Sequence, residues 1–342
     1  MASDTLRPRT ALLKSLIHQI QRVRQNHIDV VLVSSGAIVF GLGILNMTRR
    51  PQDLASLQAI AALGQTALMR KYTDLFKTFR MHCAQVLLTW DDFDNRQRYN
   101  NARQTLLAML GKSMVPIVNE NDTVATDEIK FGDNDRLSAL VAGLIQADLL
   151  VILTDVEGLY QIQEGRKRVF REIKEITQEM EGMATTSGTH QFSQGGMRAK
   201  LEAVKIATHA NIPCIIAPGR MKDVLWRILQ RERIGTFFME KEEKVLARKH
   251  WISFGAKPKG HIMIDAGAKE ALLKGGRSLL LPGVMSWQGQ FKEEDVVIIE
   301  DQAHQEIGRG ITNYSALDLD KITDKKGKPE VIHCDNLVLS DR

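Results

Sequence analysis

Five short apolar runs, at residues 29–33, 83–88, 114–118, 149–153 and 213–217, constrain this chain more than any other feature. They are rich in Val, Ile and Leu, show little polar alternation and stop at small or polar residues, the pattern of strands buried on both faces. Between them lie stretches with the helical period: 8–26, where Leu12, Leu13, Leu16, Ile17, Ile20 and Val23 recur at helical spacing, then 54–79, 99–110 and 134–147. Strands alternating with helices predict an α/β fold, a mainly parallel sheet sandwiched by helices. Ligands in such folds bind beyond the carboxyl ends of the strands. Four runs end in Ser34-Ser35-Gly36-Ala37, Asn119-Glu120-Asn121-Asp122, Thr154-Asp155 and Pro218-Gly219, and one sheet edge is expected to carry all four.

At 342 residues the chain is long enough for a full core and a smaller second domain. No apolar run approaches the roughly eighteen residues needed to cross a bilayer. The opening MASDTLRPRT has no apolar core and carries Asp4, so it reads as neither a secretory signal nor a transit peptide, and the cytoplasm is the expected compartment. The three cysteines, Cys83, Cys214 and Cys334, are odd in number and far apart, which fits neither a disulfide framework nor a C-x-x-C pair. The net charge of +5 lies wholly in the first 247 residues, because 248–342 holds 14 Lys and Arg against 14 Asp and Glu. A modest excess spread so widely is a solvated surface, compatible with an anionic nucleotide substrate, and does not predict nucleic-acid binding.

Residues 117–140, IVNENDTVATDEIKFGDNDRLSAL, concentrate carboxylates and amides between an apolar run and a helical stretch. An acidic solvated loop is the structural alternative, but the polar groups recur twice, as NEND and GDND, each abutting an apolar element. The intervening 123–131 reads as a small hairpin or lid ended by Gly132. Further on, TTSGTHQFSQGGMRAK at 185–200 runs from a Ser, Thr and Gly-rich loop into a helix. Amides near Gly195 and Gly196 can attract phosphate, and Lys200 lies one turn in, within reach of a transferred phosphoryl group. A helix start with a surface lysine is the plainer reading of GGMRAK taken alone. No Walker A loop is present, since Lys does not directly follow Gly there. Thr154 and Asp155 read either as a nucleotide contact or as a turn capping the next element. Asp133 and Asp135 flank Asn134 and suit Mg²⁺ or the orientation of lysines around phosphates, with Asp135 the better organiser. Ser35 as a nucleophile is disfavoured because VSSGAI lacks the G-x-S-x-G elbow. The scattered histidines predict no zinc site.

NENDTVA followed by IKFGDNDRLSALVA resembles the signature of the glutamate 5-kinases of the amino acid kinase superfamily. After a charged linker at 239–249, the tail at 250–342, with GHIMIDAGA, SLLLPGV and DVVIIE read as short strands, resembles the PUA domain that ends many of them. Residues 1–238 then form the kinase domain. The resemblance implies transfer of the γ-phosphoryl of ATP, with Mg²⁺, to the γ-carboxylate of L-glutamate, the first step of proline synthesis. It implies Ser35, Asp122 and Asn134 on glutamate, and Thr154, Asp155, Gln194, Gly195, Gly196, Met197, Arg198, Ala199 and Lys200 on ATP. Lys200 and Asp135 act in catalysis, and Asp133 and Asp135 meet the metal. Gln194 stands where the family has Thr. Proline as feedback inhibitor, a homo-oligomer and hand-over of product to glutamyl phosphate reductase also follow from the resemblance. The superfamily opens with an apolar strand and a Lys-Gly-Ser/Thr loop, and none precedes the first helix here. That departure predicts low activity for the chain as given. It keeps in view a ligand-binding homologue with impaired catalysis, besides RNA binding through the PUA-like tail.

Overall fold

The computed structural model describes residues 10–124, 134–163, 166–178, 180, 182, 196–240, 249, 251–321 and 330–340. The chain divides into two compact units, 1–92 with 96–243, and 93–95 with 244–342.

The first unit opens on α1 (Thr10–Gln25), whose Leu13, Ile17, Ile20 and Val23 form one buried stripe. Then come β1 (Leu32–Val33), α2 (Ala37–Ile44), α3 (Leu54–Thr78), β2 (Cys83–Leu88), α4 (Trp90–Asp94), α5 (Arg96–Gly111), β3 (Val115–Glu120) and α6 (Asn134–Ile145). The second half runs through β4 (Leu150–Thr154), β5 (Tyr160–Gln163), β6 (Arg166–Val169), β7 (Glu172–Ile173), α7 (Gly196–His209), β8 (Cys214–Pro218), α8 (Val224–Leu229) and β9 (Thr236–Phe238).

The expected single sheet is divided. Strands β1, β3 and β2 form one parallel sheet in that order, and β4, β8, β9 and β7 form another in which β8 and β9 are antiparallel. Helix α6 packs on β1, β3 and β4 and so bridges the two. The run at 29–33 is strand only at Leu32 and Val33, opposite Ile117 and Val118, because β3 is its one neighbour among the described residues. The core beneath joins Leu13, Ile17 and Ile20 of α1, Leu68, Tyr72 and Phe76 of α3, and Val115 and Ile117 of β3. At the other end of this core Gln19 accepts the Leu225 N–H at 3.0 Å, and Arg22 stacks 4.7 Å from the Trp226 ring, fixing α1 to α8.

Two glycines let α2 and α3 touch backbone to backbone. A Cβ on Gly64 would lie 1.8 Å from the Ala37 carbonyl oxygen, and one on Gly41 would lie 2.1 Å from that of Ile60. Asp53 starts α3 by accepting the Ser56 N–H at 2.8 Å, an N-cap that satisfies one of the orphan donors of the first turn.

The second unit contains β10 (Gly260–Ile264), α9 (Ala266–Leu273), β11 (Val284–Gly289), β12 (Val296–Glu300), β13 (Glu306–Ile311), α10 (Ala316–Lys321) and β14 (Leu337–Leu339). Its sheet runs β11-β10-β12-β13-β14 over a core that includes Ile262, Ile264, Val297, Ile299, Val331 and Ile332. Two of its expected strands are shorter than read from sequence. Asp265 caps α9 by accepting the Ala268 N–H at 2.7 Å, so the end of GHIMIDAGA is helical. In SLLLPGV, Leu279 makes a single bridge to Ile332 and Pro282 sits in a 3₁₀ turn, Leu281–Gly283. Among the described residues no helix is long and apolar enough to cross a membrane.

Candidate active site

Because β1, β2 and β3 are parallel, their carboxyl ends lie on one edge. The ladder continues past them: Ser34 N–H donates to the Val118 carbonyl and Asn121 N–H to the Leu88 carbonyl, each at 2.9 Å. These bonds hold Ser34-Ser35-Gly36 and Asn119-Glu120-Asn121-Asp122 side by side. Gly36 has φ +119°, a left-handed turn suited to glycine, and leads into α2 without a side-chain cap. Ser34 is buried with its Oγ 2.7 Å from the Tyr72 hydroxyl, whose pKa burial pushes up to about 12. Ser35 is exposed.

Asn119 is 2% exposed and donates through Nδ2 to Gln65 Oε1 at 2.8 Å. Asp122 follows in a turn in which the Val124 N–H donates to the Asn121 carbonyl. Burial, then repulsion from Glu120, pushes the Asp122 pKa up to about 6, against a smaller opposing pull from Arg50. Its charge is therefore held at a cost, which a cation from a ligand would offset.

Helix α6 begins at Asn134, whose Oδ1 is buried and has no hydrogen-bond partner among the described residues. The next residue, Asp135, accepts from Lys200 Nζ at 2.7 Å. That ion pair, with side chains 26% and 15% exposed, joins the start of α6 to α7 one turn in, and the two helices pack on one another. Asn134 and Asp135 are consecutive, so this acceptor and the carboxylate that holds the lysine open the same helix, which packs on β1 and β3. Close to the same helix start, Arg136 lies 3.9 Å over the Trp90 ring.

Strands β4 and β8 are also parallel and end together, with the Gly219 N–H donating to the Thr154 carbonyl at 2.7 Å. Thr154 Oγ1 donates to Asp155 at 3.2 Å, a local bond of the turn-capping kind. Gly196, Met197, Arg198 and Ala199 form the first turn of α7, where Arg198 pairs with Glu202 at 3.3 Å. Asp133, Gln194, Gly195 and most of the hairpin at 123–131 lie outside the described residues. The sequence pattern marks no site role for Gln65 or Tyr72, and it places Asn119 and Glu120 only as part of the polar strand end. A polar Gln beside a glycine in an otherwise apolar helix, AIAALGQTALM, was the available signal.

Elsewhere, the buried Cys214 thiol has its pKa raised by burial, which keeps it protonated. Among the described residues one group, His333, Cys334 and Asp335 of the second unit, brings metal-ligand atoms within 4.8 Å of one another.

The amino acid kinase family model matches residues 2–218, and the PUA domain model matches residues 260–333. The chain is similar to proteins named glutamate 5-kinase. It is 45% identical to that of Dictyoglomus turgidum, over 96% of this chain and 91% of the relative. For Dictyoglomus thermophilum the identity is 46%, with the same coverage. For Paraburkholderia phymatum it is 43%, over 94% and 90%.

Proposed function

The chain belongs to the amino acid kinase family and, within it, to the glutamate 5-kinases, and we propose that the cluster from Ser34 to Asn134 is its glutamate half and the Lys200–Asp135 pair its phosphoryl half. The reaction is the ATP-dependent phosphorylation of the glutamate γ-carboxylate. A carboxylate oxygen forms a bond to the γ-phosphorus while the bond from that phosphorus to the β,γ-bridging oxygen breaks, giving an acyl phosphate and ADP. The nucleophile is already an anion at neutral pH, so no general base is needed. What the protein must supply is position and positive charge.

The observation that carries the assignment is the junction at Asn134 and Asp135. Asn134 presents a buried acceptor without a partner among the described residues, and its neighbour is bonded to the lysine. An ammonium at Asn134 and Asp122 therefore sets an amino acid next to the cation that faces the phosphates. Lys200 neutralises charge developing on the transferred group, and Asp135 orients it. Gly196 and the first amides of α7, with Thr154 and Asp155 at the end of β4, flank the nucleotide. Gln194, Gly195, Met197, Arg198 and Ala199 complete that side by their place in sequence, and Ser35 offers an exposed hydroxyl at the glutamate side.

Mg²⁺ is expected to arrive with ATP. It keeps most of its ligands as water and phosphate and needs only one or two carboxylates from a protein, which fits Asp135, with Asp133 two residues away in sequence. When bound, it supplies charge neutralisation at the phosphates. Proline keeps the α-carboxylate and amine of glutamate without the reacting group, so it is expected to compete at Asp122 and Asn134. Self-association, hand-over of the product to a reductase and a cytoplasmic location are further expectations from the family.

Trapping the acyl phosphate with hydroxylamine tests this reading. Hydroxamate should form only when ATP, Mg²⁺ and glutamate are all present. ATP hydrolysis without hydroxamate would count against it.

A further inference from the structure

The Gln65 side-chain amide has one end engaged and one end spare. Its Oε1 accepts from Asn119 Nδ2, while Nε2 is buried and meets no acceptor among the described residues. Buried amide donors are nearly always paired, so a spare one beside a ligand site asks for a ligand atom. Its position is fixed from two sides. Gly64 packs against the Ala37 carbonyl, which sets α3 against the first turn of α2 one residue before Gln65. Asn119 ties the same amide to the end of β3, which also carries Glu120 and precedes Asp122.

The unmet groups have complementary character. Gln65 Nε2 offers a donor and Asn134 Oδ1 an acceptor, and the end of β3 with the turn after it brings the carboxylates of Glu120 and Asp122 close enough to repel one another. A zwitterionic amino acid fits this set, its carboxylate on the donor and its ammonium on the acceptors. We propose that Gln65 Nε2 donates to the α-carboxylate of glutamate, and that the Asn119 bond holds the amide in the orientation this requires. The α rather than the γ group follows from the layout. The γ-carboxylate must face Lys200 and Asp135. Gln65 is tethered to the strand end that draws the ammonium, and the ammonium and α-carboxylate share one carbon. This rests on the reading of the strand-end cluster as the glutamate half.

The test compares L-glutamate with its 1-amide, which keeps the ammonium and γ-carboxylate but replaces the α-carboxylate by a neutral amide. Initial rates are measured for the full chain and for Gln65→Ala and Gln65→Glu. Gln65→Ala should raise KM for glutamate about 10- to 100-fold, the range for one charge-assisted hydrogen bond. Its kcat and its KM for ATP should stay within about twofold, and the preference for glutamate over the 1-amide should narrow by the same factor as KM rises. Gln65→Glu keeps an acceptor for Asn119 and nearly the same shape, so it guards against loss of fold. It sets a carboxylate against the α-carboxylate, so glutamate should suffer more than the 1-amide, which brings its own N–H donors. An unchanged KM for glutamate in both variants overturns the proposal. So does an equal loss on both substrates, which marks a purely structural role. If the unaltered chain makes no acyl phosphate, the functional reading fails separately, and calorimetric titration of the two ligands into the three proteins decides the role of Gln65. Equal or absent binding of both ligands in all three proteins overturns it there.

Discussion

Asp122 is held charged in a place that opposes charge, and that tension yields two predictions. Its pKa is near 6 in the fold against 3.8 as the ordinary value, through burial first and Glu120 second. The folded chain therefore binds a proton that the unfolded chain has lost between those limits. Stability falls as pH rises through that window, by up to about 3 kcal/mol, at about 1.4 kcal/mol per pKa unit. Asp122→Asn should accordingly raise the Tm of the unliganded protein at pH 7 and flatten its dependence between pH 4 and 6, as followed by calorimetry. Glutamate binding runs the other way. The protonated side chain cannot pair with an ammonium, so affinity should fall towards tenfold per pH unit below about 6. Lys200→Ala should lower kcat about 10²- to 10³-fold, the usual loss for one preorganised transition-state donor. The sequence marks Asp122 as a candidate because it sits in a polar cluster where an apolar run stops, and Lys200 because it follows a glycine-rich helix start. It does not mark Gln65, because its partner Asn119 is 54 positions away and only the fold brings them together.

Elements were legible wherever burial is uniform. The runs read at 83–88 and 114–118 appear as Cys83–Leu88 and Val115–Glu120, and the long helix read at 54–79 as Leu54–Thr78. What the local pattern could not carry was neighbourhood. β1 is as apolar as its companions yet pairs along only two residues, and the strands divide into two sheets that share α6 as a cover. Strand partners are a tertiary property and leave no periodicity in sequence. The close crossing of α2 and α3 is equally silent. Gly64→Ala should nonetheless cost about 3 kcal/mol or more in urea unfolding, since its Cβ would press on backbone rather than on a flexible side chain. The same shift displaces Gln65 and the Ser34–Gly36 loop, so KM for glutamate should rise in the residual folded enzyme.

At the scale of the whole molecule the boundary is not a single cut in the chain. The β-rich tail was readable from its short apolar runs and turns, but three residues of its compact unit, 93–95, come from the middle of the sequence. Phe93 is 2% exposed, Trp251 Nε1 donates to its carbonyl, and Asp94 accepts from the Lys257 N–H and the Lys259 ammonium, each at 2.6 Å. Phe93→Ala should therefore destabilise this unit by about 3–5 kcal/mol, visible as an earlier calorimetric transition. The central claim concerns the other unit: one helix start, Asn134-Asp135, joins a half that holds glutamate to a half that moves phosphate. The most direct measurement is the rate of hydroxamate formation as a function of glutamate for the unaltered chain, Asp122→Asn and Lys200→Ala. Asp122→Asn should raise KM for glutamate with kcat largely kept, and Lys200→Ala should lower kcat with KM largely kept. The same kinetic change in both variants, or an unchanged kcat in Lys200→Ala, would contradict that claim.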